Sequence, residues 1–143
     1  MHTNTALAVK VGDPPEIERT DRDPPRSDIR YNQSAHHAER MMEICEAMID
    51  ICAALFNVSS KEMRQMGRTG QDAARVRQIA MYVTHVTLGL NMQQVGRGFG
   101  RDRGTVRHAC FAVEDLRDAP DFDRAVTTAE RVARAAFNRR LEV

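Results

Sequence analysis

The residues best suited to chemistry with a polyanion cluster between positions 101 and 108. Arg101, Asp102, Arg103, Gly104, Thr105, Arg107 and His108 stand there, and Val106, Ala109 and Cys110 recur among them at helical spacing. An arginine at the mouth of the major groove of duplex DNA forks onto the O6 and N7 acceptors of guanine, and a threonine methyl packs against thymine. A threonine hydroxyl also meets phosphate, as do the free backbone N–H groups at a helix start. This composition therefore points to recognition of double-stranded DNA. The plainer alternative is a solvated face made by Arg101, Arg103 and Arg107.

Such recognition needs a short helix, a tight turn and a second helix whose leading turn is polar. Residues 91–117 meet that description. Asn91 is placed to cap a short helix with Val95 and Phe99 turned inward, and Gly98 and Gly100 permit the turn. Asp102 caps the second helix, whose buried positions are Val106, Ala109, Cys110, Val113 and Leu116; Pro120 stops it. A last helix opens at Asp121.

Upstream, apolar residues recur every three or four positions from Met41 through Ile44, Cys45, Met48, Ile49, Cys52, Leu55 and Phe56. They predict an amphipathic helix from Ser34 to Asn57. Its stripe serves either the core or a homodimer seam along residues 36–57. Ser59 and Glu62 form a capping box for a short helix. Asp72 is expected to cap the following helix, whose inner face is Val76, Ile79, Ala80, Val83 and Val86 or Thr87. Residues 1–35, with Pro14-Pro15 and Pro24-Pro25 and few large apolar groups, read as a disordered arm. The expected architecture is all-α: about six helices over residues 36–143.

The net charge of +1 hides a local imbalance. Residues 61–118 carry ten basic and six acidic side chains, whereas residues 36–60 carry one and four. The basic excess coincides with the predicted hairpin, and it is the local patch that a polyanion feels within a Debye length. The three cysteines, with no CxxC, read as buried reduced thiols. No 18-residue apolar run or N-terminal apolar leader is present, so a nucleoid-associated place in a reducing cytoplasm is expected. His36 and His37 with Glu39 and Glu43 lack a ligand spacing and suggest an exposed helix turn rather than a metal site. Arg139-Arg140 add phosphate attraction or favour a helix end. No catalytic set or GxxxxGK[ST] phosphate loop occurs, so neither enzymatic activity nor a cofactor is expected.

The run from Arg75 to Val83, followed by Gln94-Val95-Gly96-Arg97-Gly98-Phe99-Gly100-Arg101-Asp102-Arg103-Gly104-Thr105-Val106-Arg107-His108-Ala109-Cys110, resembles the C-terminal DNA-binding domain of the bacterial replication initiator DnaA. The resemblance implies a six-helix domain docked on duplex DNA. It places a minor-groove loop at Met66 to Ala73, with Arg68 its only basic residue. It places phosphate contacts at Arg77 and Gln78, on the basic helix that also carries Arg75, and at His108, with further DNA contacts at Met92 and Gln93 of the short helix. The start of the recognition helix falls on Arg101, Asp102, Arg103, Gly104 and Thr105, where Arg103 and Thr105 are expected to read bases and Arg101 to meet a phosphate. The family reads Asp-His-Thr-Thr where this chain reads Asp102-Arg103-Gly104-Thr105, and the turn is one residue shorter. These departures predict a different preferred site. A chain of 143 residues also leaves no room for an ATPase beside the domain, so a stand-alone transcriptional regulator is expected. The alternatives are a modulator that competes with the full initiator at an origin, or an adaptor whose helix at 36–57 binds RNA polymerase or another regulator.

Overall fold

The computed structural model describes residues 26–67 and 69–137. Among them are six helices and no strand: α1 (Arg26–Phe56), α2 (Ser60–Arg64), α3 (Gln71–Val86), α4 (Met92–Phe99), α5 (Arg103–Leu116) and α6 (Pro120–Phe137). The chain divides into two units at Gln33–Ser34, and the packing below belongs to the second.

The first helix corrects the expected boundary. It opens at Arg26, eight residues before Ser34. Residues 26–35 are therefore helix rather than arm, and residues 1–25 of the expected arm lie outside the described residues. The helix ends where expected. Asn57 takes a left-handed φ of 54°, and Val58 N–H donates to Ala53 O at 3.0 Å, a closing bond that satisfies an orphan carbonyl.

α3 runs through the centre, against α2, α4, α5 and α6. Half of its 16 residues are buried, including Val76, Ile79, Ala80, Met81 and Val83. Cys45, Met48, Ile49 and Cys52 of α1 join the same core, with Val126, Ala129 and Ala133 of α6. The middle of the α1 stripe is thus taken by its own core; Leu55 alone of that stripe is exposed. Burial pushes the Cys45 and Cys52 thiols up to about 12, far from a nucleophile's range.

Three expected helix signals act differently. α3 starts at Gln71 with Gly70 as its N-cap, and Asp72 lies inside the first turn, where its charge suits the helix dipole. Val86 is exposed, while Thr87 is half-buried and donates to Glu130. Pro120 does not stop α5, which ends at Leu116; it opens α6, because a first helical position needs no N–H. Between those helices Arg117 gathers α3, α5 and α6. Its guanidinium donates to Asp123 at 2.6 Å, Glu130 at 2.8 Å and the Tyr82 hydroxyl at 3.3 Å.

Gly98 is the fourth difference. It lies within α4, two residues before the reversal at Gly100, and faces Cys45 of α1. A β-carbon there would overlap Cys45 Cβ and Sγ. Its role is close helix approach, which only a missing side chain allows. Gly98→Ala is expected to destabilise the domain by about 1–3 kcal/mol, the usual cost of overpacking a tight contact. Chemical denaturation followed by circular dichroism checks this, and an unchanged midpoint would contradict the contact.

Candidate nucleic-acid interface

The hairpin is built from local bonds that fix its turn. Asn91 Oδ1 accepts from Gln94 N–H at 2.8 Å, and Gln94 Oε1 accepts from Asn91 N–H at 2.9 Å, a complete capping box for α4. α4 ends on Gly100, whose φ of 65° is the left-handed conformation that glycine adopts without strain. Arg101 N–H then donates to Gly96 O at 2.8 Å, and Asp102 Oδ1 accepts from Thr105 N–H at 2.6 Å to start α5. Val95, Phe99, Val106, Ala109 and Val113 are buried in the core, and α4 packs on α5. Cys110 is only half-buried, and burial raises its thiol pKa.

With that face turned inward, Asp102, Arg103, Gly104, Thr105, Arg107 and His108 are all exposed. Arg103, Gly104 and Arg107 line one open recess with Met92 of α4. Gln93 and Arg75 are exposed, and Arg75 donates to Gln78 Oε1 at 2.8 Å. Arg68 lies outside the described residues, as do Arg139 and Arg140.

Two of the expected phosphate ligands are already engaged. Arg77 is half-buried and donates to Met63 O at 3.0 Å and Thr69 Oγ1 at 2.8 Å. Arg101 donates to Gln65 O at 2.6 Å and to the Met66 sulfur. Its Nε is buried without a partner. Burial, and then the nearby Arg101 charge, lower the Arg77 pKa below the usual arginine value. Both guanidinium groups thus tether the α2–α3 loop beside the start of α5. Met66, 72 % exposed, stands at the tip of that loop.

Sequence spacing did not indicate this tether, because its bonds join residues 8 to 36 positions apart. Nor did it single out Phe111, which is exposed on α5 with the Arg107 guanidinium carbon 5.6 Å from its ring centroid. An aromatic four residues after an arginine on a polar face is the signal that could have found it. His85 is structural: its Nδ1 donates to Leu90 O at 2.7 Å and steadies the α3–α4 loop. A groove of about 720 Å³ between α1, that loop and the end of α6 includes none of the interface residues. No group of three or more His, Cys, Asp or Glu fit to hold a metal occurs among the described residues, and no described helix is long and apolar enough to cross a membrane.

Residues 45–113 match the family described as bacterial dnaA protein helix-turn-helix. Over that stretch, which holds α3, α4 and most of α5, the chain is similar to a DnaA-type helix-turn-helix. Among curated relatives it is similar to the chromosomal replication initiator protein DnaA of Laribacter hongkongensis (strain HLHK9), 32 % identical over 69 residues. That match covers 47 % of this chain and 14 % of the relative's length.

The Asp102 cap has a pH signature. The Thr105 N–H holds its carboxyl below the usual 3.8, so its contribution to stability is present above that value and is lost as pH falls through the folded-state pKa. Asp102→Asn keeps an accepting oxygen without the charge. Melting both proteins from neutral pH down through 3.8 is expected to show their difference shrinking at the acid end. A difference that stays constant would remove the charge from the cap.

Proposed function

We propose that this protein is a sequence-specific transcriptional regulator that binds duplex DNA through the leading turn of α5. One observation carries the reading: Arg103, Gly104, Thr105, Arg107 and His108 face solvent while Val106, Ala109 and Val113 hold the other side of the same helix. Arg103 and Thr105 are the base readers. His108, Gln78 and Gln93 meet phosphates, and Arg77 and Arg101 hold the α2–α3 loop where it flanks the groove. Arg103 and Gly104 replace the residues of the initiator's usual motif and redirect the preferred site, since one good base contact is worth about 1–3 kcal/mol of discrimination. The three free cysteines fit a reducing cytoplasm.

A second reading, favoured by the likeness to a replication initiator, is a modulator that occupies origin DNA. Footprinting on promoter and origin fragments separates the two. For either, Arg103→Ala is expected to weaken the cognate duplex by about 5- to 150-fold and random duplex far less. Arg77→Ala is expected to weaken both alike, because a displaced loop and a lost cation carry no sequence information. Titrations at fixed salt read both effects; equal losses on the two duplexes from Arg103→Ala would refute its role as a base reader.

A further inference from the structure

Phe111 is 60 % exposed and stands outside the core cluster, so the packing of the domain does not account for it. What it does contact is Arg107, four residues earlier on the outer face of α5, across a cation–π distance of 5.6 Å. Among the described residues no carboxylate pairs with Arg107. A surface arginine otherwise samples many rotamers, and ordering it on binding costs affinity. The ring gives it a shelf and a direction before DNA arrives.

The space in front of Arg107 is open for a separate reason. Gly104 contributes no side chain to the recess of about 410 Å³ that it shares with Met92, Arg103 and Arg107. A β-carbon on Gly104 would meet only Asp102 Oδ1 at 3.4 Å, an ordinary contact, so the fold does not demand glycine there. The two arginines lie four residues apart on one helix, a rise of about 6 Å, close to two base-pair steps of about 3.4 Å.

We propose that Arg107 reads a second guanine, at a base pair distinct from the one read by Arg103, and that Phe111 is the positioning residue that aims it. This rests on the DNA-binding reading above and specifies its chemistry: a duplex site with two guanines, one facing each wall of the Gly104 recess. An exposed cation–π contact is worth a factor of about two to five.

The test begins with sites selected by the wild-type protein from random duplexes. Affinities for single-base variants of the best site are then measured with Arg103→Ala, Arg107→Ala, Phe111→Ala, Phe111→Tyr and the Arg107→Ala/Phe111→Ala double variant. Arg107→Ala is expected to abolish the preference at one base pair, different from the pair lost in Arg103→Ala. Phe111→Ala lowers the preference at the Arg107 pair by about two- to fivefold, and Phe111→Tyr restores it. The double variant is no worse than Arg107→Ala alone. A Phe111→Ala loss shared equally by every duplex, a loss that persists without Arg107, or failure of tyrosine to restore the preference overturns the inference. If Arg103→Ala loses its own base pair while Phe111→Ala changes nothing, the inference fails and the regulator reading stands. If the wild type selects no sequence, both fail.

Discussion

The contact between Cys45 and Gly98 constrains everything that faces outward. α1 presses onto α4 without an intervening side chain, and α4 in turn packs on α5. The apolar seam of Val95, Phe99, Val106, Ala109 and Val113 then leaves α5 one way to lie: apolar positions inward, Arg103, Gly104, Thr105, Arg107 and His108 outward. Recognition chemistry here is a by-product of burial. The side chains that would meet DNA are the ones for which the core has no use.

A second constraint acts at the two ends of α5. At its start, Asp102 caps the first turn and Arg101 reaches back to the α2–α3 loop. At its end, Arg117 ties it to Asp123 and Glu130 of α6 and to Tyr82 of α3. Glu130 is buried and would be costly alone; with Arg117 and Thr87 as donors its charge is matched. The like charges of Arg77 and Arg101 oppose this order at the loop end. Their approach is held by three bonds to loop atoms and one to Met63 O of α2, and leaves Arg101 Nε buried and unpaired. That corner carries an unmet demand for an acceptor, whereas the Arg117 corner does not.

What the sequence revealed follows the range of the forces involved. Asn91 and Asp102 were legible as caps because a cap bonds three residues away, and the inward periodicity of α3, α4 and α5 was legible because burial sets it. The start of α6 was misread because Pro120 acts as an opener rather than a stop. Gly98 was read as part of the turn because its real partner is 53 positions away in α1. In the candidate interface, the outward placement of Arg103 and Thr105 was legible from residue type and helical spacing. The loop duties of Arg77 and Arg101 and the Phe111 shelf depend on contacts that no local spacing encodes.

The division of labour on α5 has an evolutionary side. Its inner residues and its two anchored ends carry stability, while Arg103, Gly104, Thr105 and Arg107 are exposed and, apart from the Thr105 backbone N–H, outside those anchors. Mutations on the outer stripe therefore meet little resistance from folding. A lineage can exchange these side chains one at a time, without first acquiring a compensating change in the core, and a designer can do the same.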